Sequence, residues 1–134
     1  MPKTFKQMTD EAMAAVTGIT PEEAHRRQQA DPNLLLIDVL DLADRKRMGQ
    51  PAGSVPISAG MLAFRADHET STRHRDPRLQ DRTRPIVTIC GGGPLSAIGA
   101  QTLQEMGFTD VAYVQGGTRA WQEAGLPLEQ PSDE

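Results

Sequence analysis

A single cysteine stands among 134 residues, and three glycines follow it at once, in the run Ile86-Val87-Thr88-Ile89-Cys90-Gly91-Gly92-Gly93-Pro94-Leu95-Ser96. Each part of that run has a chemical use. A short apolar strand is stiff and would deliver the thiol to the carboxyl edge of a sheet, where open α/β folds bind ligands. Glycines permit positive φ, so consecutive N–H groups can converge into a nest for an anion. A helix from about Ser96 to Met106 would add the positive end of its dipole, about half a charge. A thiol in that setting favours its nucleophilic thiolate form. The plainer reading is a small buried hydrophobe at the end of a core strand, followed by glycines that only turn the chain. A nucleotide-binding loop fits poorly, because neither GxxxxGK[ST] nor GxGxxG is present.

The elements needed to hold such a loop are visible on either side of it. Thr9 to Val16 reads as a short helix ended by Gly18. Thr20-Pro21-Glu22-Glu23 places a hydroxyl at an N-cap, proline at the first helical position and acidic side chains in the first turn, predicting a helix to about Gln29. Leu34 to Val39 and Pro85 to Ile89 are continuous apolar runs, the pattern of strands covered on both faces. Asp38 falls near the carboxyl end of the first. Between Asp41 and Gly60 we expect a short helix, a turn and a brief strand at Ser54 to Ile57, then a helical turn over Met61 to Ala66. Val111 to Val114 reads as a strand, Gly116-Gly117 as a tight turn and Thr118 to Ala124 as the last helix. The alternation predicts an α/β domain with a mostly parallel central sheet of about five short strands and helices on both faces. One domain should fill residues 1–134, with its core over about 20–128 and looser ends at 1–8 and 129–134.

Composition removes several classes of function. Apolar residues make up 37% and charged residues 24% of the chain, which is ordinary for a globular protein. A formal charge of −4 argues against nucleic acid or anionic lipid as the main partner. One cysteine makes no internal disulfide, and the Cys and His residues are too sparse for a metal site. With no apolar run long enough for a signal core or a membrane span, the expected location is the cytoplasm. From Asp67 to Arg84 only Leu79 is a large aliphatic residue, among five arginines and two histidines, so this segment is expected to be an exposed, weakly ordered loop. Its arginines, Arg73, Arg75, Arg78, Arg82 and Arg84, would be solvated or would rim a site for anions or an acidic partner. His25 is expected on a solvated helix face, His68 and His74 in the loop without ligand partners, and Trp121 in the core.

The chain resembles the rhodanese-like (sulfurtransferase) family from about Thr20 to Leu128. Leu35 to Val39 (LLIDV) is similar to the family's first-strand signature, Gly49 to Val55 (GQPAGSV) to its turn motif, and Ile86 to Cys90 to the strand that ends in the nucleophile. Met106 to Val111 (MGFTDV) and Gly116 to Pro127 (GGTRAWQEAGLP) resemble its closing pattern, the most specific of the set. The resemblance implies a thiolate, Cys90, that attacks the outer sulfur of a donor such as thiosulfate or a thiol persulfide. It would hold that sulfur as a persulfide and pass it to a thiol or cyanide acceptor, with no metal or organic cofactor. Gly91, Gly92, Gly93, Leu95 and Ser96 would form the cradle, and Asp38 would organise the backbone beside it.

Two departures from the family pattern concern charge. Family members commonly carry arginine at the position of Leu95, and their first strand usually continues Asp-Val-Arg where this chain has Leu40. Pro94 also removes an amide from the nest. A missing cation would cost roughly ten- to a hundredfold in binding an anionic donor, so weak thiosulfate activity is expected. Arg119 or Arg65 would be the substitutes. A non-catalytic module that binds a protein partner or small anion is the alternative. The family's phosphatase and arsenate reductase relatives need a longer loop and a bidentate arginine.

Overall fold

The computed structural model describes residues 2–69, 71 and 73–131. Thr4 Oγ1 accepts from the Gln7 amide at 3.1 Å while Gln7 Oε1 accepts from the Thr4 amide at 2.8 Å. This reciprocal cap starts α1 at Phe5 and carries it to Ala15. The helix therefore includes residues 5–8, which sequence places in a loose end. It stops before Val16, and the chain enters a strand not foreseen, β1 (Thr17–Ile19). Gly18 is part of that strand rather than a helix terminator: a Cβ there would come within 2.8 Å of the Tyr113 ring and the Gln115 side chain.

Thr20 accepts from the Glu23 amide at 3.1 Å and opens α2 (Pro21–Ala30), as its capping residues predict. There follow β2 (Leu35–Asp38), α3 (Leu42–Met48), β3 (Gln50–Pro51), β4 (Val55–Pro56), a 3₁₀ turn over Ala59–Met61 and α4 (Leu62–Ala66). After a second 3₁₀ turn at Pro77–Leu79 come β5 (Ile86–Ile89), α5 (Pro94–Glu105), β6 (Val111–Val114), α6 (Gly117–Glu123) and β7 (Leu128–Glu129). The main sheet has the order β1-β6-β5-β2-β4, and every neighbouring pair is parallel. The α/β fold with five short strands is thus as expected. An unforeseen antiparallel pair, β3 with β7, ties Gln50 to Glu129 and Pro51 to Leu128, so Glu129 belongs to the fold. Residues 132–134 of the expected loose tail lie outside the described residues.

Because successive strand side chains point to opposite faces, β2 and β5 feed two cores. Leu35, Ile37, Ile86 and Cys90 pack with Ala12, Leu62, Ala97 and Leu103 on the α1/α4/α5 side. Leu36, Val87 and Ile89 pack with Ala24 and Trp121 on the α2/α6 side. Trp121 is fully buried, donates from its indole N–H to Pro127 O at 2.8 Å, and meets the edge of the His25 ring, which is half-buried instead of solvated. Among the described residues no helix is long and apolar enough to cross a membrane.

From Asp76 to Arg84 the arginine-rich segment is more ordered than its composition implies. Leu79 is completely buried, and the 3₁₀ turn that carries it is capped by Asp76, which accepts from the Arg78 amide at 2.9 Å. Arg82 donates to Leu79 O and Ala66 O, each at 2.8 Å, sits 3.2 Å from His68 Nδ1, and lies 4.6 Å over the Phe108 ring. An arginine that stacks on an aromatic and caps two carbonyls staples a loop that has little apolar area of its own. Replacing it, as in Arg82→Ala, should lower stability by about 2 kcal/mol, since each bond and the ring contact contribute on the order of 1 kcal/mol. Denaturant unfolding at fixed slope is the check, and an unchanged midpoint would mean that the loop is held by something else.

Candidate active site

The strand β5 runs into Cys90, and the loop that follows folds back over the sulfur. Cys90 Sγ accepts hydrogen bonds from the Gly93 amide at 3.1 Å and the Ser96 amide at 3.3 Å. Gly93 has φ +112°, a conformation open to glycine, and it is the N-cap of α5, which starts at Pro94 rather than Ser96. Proline suits that first position because its missing N–H would have had no helical partner. Ser96 Oγ donates to Gly93 O at 2.8 Å and Thr88 Oγ1 to Ser96 O at 2.7 Å, so both buried hydroxyls brace the loop. Two amides at a helix N-terminus therefore converge on one sulfur, an arrangement that suits negative charge there. Among the described residues, the amides of Gly91 and Gly92 make no backbone hydrogen bond.

The start of α6 holds the loop from outside. Thr118 N donates to Cys90 O at 2.7 Å and Arg119 N to Gly91 O at 3.1 Å. That approach requires Gly117: its φ is +61°, and a Cβ there would fall 2.1 Å from Cys90 O. Cys90 is 2% exposed and lies at the floor of an open cavity of about 350 Å³. Gly91, Gly92, Pro94, Leu95 and Arg119 line this cavity, and Leu40, Met48, Asp44 and Arg47 from the β2–α3 side complete it.

Of the residues singled out from sequence, the structure thus brings Cys90, Gly91, Gly92, Leu95 and Arg119 to one cavity, while Gly93 and Ser96 donate to the sulfur without lining it. Arg119 is exposed at the rim. Arg65 is not there: it lines a neighbouring cavity that shares Leu40 with this one. Asp38 lines neither. It is completely buried, and its Oδ1 accepts from the Leu40 amide at 3.0 Å while Oδ2 is without a partner. Burial pushes its carboxyl up to about 6, against the opposing pull of the Leu40 N–H and the Arg45 charge.

These features carry a family assignment. Residues 20–124 match the rhodanese-like domain family. The chain belongs to that family. A thiosulfate sulfurtransferase GlpE of Actinobacillus succinogenes is 34% identical over 115 residues, which cover 86% of this chain and 92% of that one. Among solved structures, a Rhodopseudomonas palustris protein described as of unknown function and a possible tyrosine phosphatase is 33% identical. It covers 96% of this chain and 99% of its own, at a TM-score of 0.86. A polysulfide-sulfur transferase homodimer from Wolinella succinogenes is 29% identical, covering 97% of this chain and 90% of its own, at a TM-score of 0.73. Leucines stand at positions 40 and 95 of this chain, and both line the cavity at Cys90.

Asp44, Arg47 and Met48 escaped the sequence reading. Their spacing of three and four residues places them on one side of α3, and that periodicity was the signal available. Arg47 donates to Asp44 Oδ1 at 2.9 Å, so the cation is paired at the rim.

The Asp38 carboxyl makes a pH-dependent contribution whose sign follows from its raised value. It binds its proton more tightly folded than unfolded, so its stabilising effect is complete below about pH 4 and is lost as pH rises through about 6. Asp38→Asn should escape that loss. Measured by urea unfolding, its stability relative to the native protein should rise by up to about 3 kcal/mol between pH 4 and 7.5, because each pH unit separating the folded and unfolded titrations is worth about 1.4 kcal/mol. A difference that stays flat with pH would refute the assignment.

Proposed function

We propose that the protein is a sulfur carrier and sulfurtransferase in which Cys90 holds a persulfide. The observation that carries this reading is the convergence of the Gly93 and Ser96 amides on Sγ at the floor of an open cavity. The Cys90 thiolate attacks the outer sulfur of the donor, and the donor's sulfur–sulfur bond breaks. Sulfite leaves with the electron pair when the donor is thiosulfate, and a thiolate leaves when it is a thiol persulfide. The terminal sulfur then lies among the loop amides. An acceptor thiolate or cyanide attacks it, and Cys90 leaves as thiolate. The names of the relatives support this chemistry, one being a thiosulfate sulfurtransferase and another a polysulfide-sulfur transferase.

The charge at the cavity argues for a weakly anionic donor. Leu95 and Leu40 present hydrocarbon where a dianion would need a guanidinium, and Arg47 is paired with Asp44. Arg119 is the cation left to face the cavity, and its exposure weakens its field through screening. A thiol persulfide therefore suits the site better than thiosulfate. The same lack of an arginine at Leu95 or Ser96 counts against phosphate or arsenate chemistry, which relies on bidentate contact to a dianion. The site is read as lying in the cytoplasm, where the thiol stays reduced.

Intact mass after incubation with each donor tests the proposal. Thiol persulfide should add one reducible sulfur atom to the native protein and none to Cys90→Ser, and thiosulfate should load it more slowly. Leu95→Arg should accelerate loading from thiosulfate at least tenfold, as expected for a cation near an anion. No sulfur gain from either donor, on folded protein with a free thiol, would reject the carrier in favour of a binding module without turnover.

A further inference from the structure

A second cavity, larger than the one at Cys90, opens beside it. Its volume of about 510 Å³ lies over the carboxyl ends of β2 and β4, and Leu40 is the wall common to both. Its polar lining includes Arg45, Arg65, Arg78, Asp41 and Asp76. The five groups differ in what they leave available. Arg78 forms a two-point pair with Asp76, Nε to Oδ1 at 2.9 Å and Nη2 to Oδ2 at 2.6 Å. Arg45 is buried and anchored, donating to Leu40 O at 3.2 Å and Gln50 Oε1 at 3.0 Å. Arg65 is exposed and lines the cavity; its charge also acts on Asp76, but no hydrogen bond holds its guanidinium among the described residues. The cavity thus carries a surplus of positive charge with one acid, Asp41, outside the Arg78–Asp76 pair.

We infer that this second cavity is the acceptor subsite, and that it takes a peptide-length thiol bearing carboxylates. The inference rests on Cys90 carrying sulfur. A carboxylate would be held by Arg65 and an ammonium by Asp41, while the chain crosses Leu40 to bring its thiol to the sulfur. The distance fits the class. The cavity lies over the end of β4, two strand spacings from β5 in the order β5-β2-β4, or about 10 Å. A three-residue molecule spans about 10 Å when extended, and a single amino acid only about 3.5 Å. The volume also lies within the range of small-molecule sites. In the transfer step the acceptor thiolate attacks the outer sulfur of the Cys90 persulfide. One sulfur–sulfur bond forms, the other breaks, and Cys90 departs as thiolate.

Two measurements separate this subsite from the carrier reading. The first is binding of S-methylglutathione, which cannot accept sulfur, to Cys90→Ser protein by titration calorimetry. Binding should be seen, and Arg65→Gln added to that protein should weaken it at least fivefold. An absence of binding, or binding indifferent to Arg65, would overturn the subsite whether or not Cys90 carries sulfur. The second is single-turnover discharge of the preloaded persulfide to glutathione and to cysteine. The ratio of the two rates should fall about five- to tenfold in Arg65→Gln, and Lys6→Gln on the remote face of α1 should keep the native ratio. A ratio unchanged by Arg65→Gln would refute the subsite, and failure to load at all, with binding intact, would refute only the carrier.

Discussion

Everything at the carboxyl edge of the sheet depends on the closure of one short loop upon one sulfur atom. Cys90 Sγ takes two amides from its own loop, and its carbonyl takes a third from Thr118 at the start of α6. The loop is thus gripped at its centre and at its base. Only backbone without side chains can approach so closely: Gly93 supplies the positive φ, and Gly117 leaves room where a Cβ would meet Cys90 O at 2.1 Å. Since β5 and β6 are adjacent and parallel, the loop after one strand and the helix after the other meet without any long connection. The sulfur is held by hydrogen bonds and steric fit, which cost no charge of their own.

That distinction separates two kinds of electrostatics at the cavity. Dipoles of the loop and helix act at contact distance and are buried, whereas Arg119 and Arg47 act from solvent. A unit charge at about 4 Å is worth about 4 kcal/mol at an effective dielectric near 20 but only about 1 kcal/mol in bulk water. A cation at the rim therefore has much less hold on an anion than one beside the loop amides would have. Leu95 and Leu40 then line the mouth of the cavity with hydrocarbon, which is a poor substitute for water around an ionic group.

The legible parts of this fold were those whose signals are local. Apolar runs at Leu34 to Val39, Pro85 to Ile89 and Val111 to Val114 became buried parallel strands, and Thr20-Pro21 capped its helix as its residue types require. What escaped was decided at a distance. Gly18 is a strand residue because Tyr113 needs its space, a relation between segments almost a hundred residues apart. Gln50 pairs with Glu129 across 79 residues. Arg82 looks like one charge among five until Phe108 and the carbonyls of Ala66 and Leu79 gather around it. The site divides the same way: Cys90 and its glycines are contiguous and readable, whereas Arg65 and Arg47 are assigned to cavities only by the turns of α4 and α3.

Asp38 shows why the two cavities should be considered together. A carboxyl without exposure and with one oxygen unpaired is expensive, and the same burial raises its proton affinity. Its one visible service is to accept from the Leu40 amide, which turns the chain as it leaves β2. Arg45 reinforces the same turn by donating to Leu40 O from the other side. Both polar side chains thus converge on the backbone of the residue whose side chain divides the sulfur-bearing cavity from its neighbour. A leucine alone has no means to fix its own position at an open edge, where water can replace packing. Fixing its amide and its carbonyl separately does so, and the stability lost at Asp38 is the counterpart of a wall that stays in place between two openings.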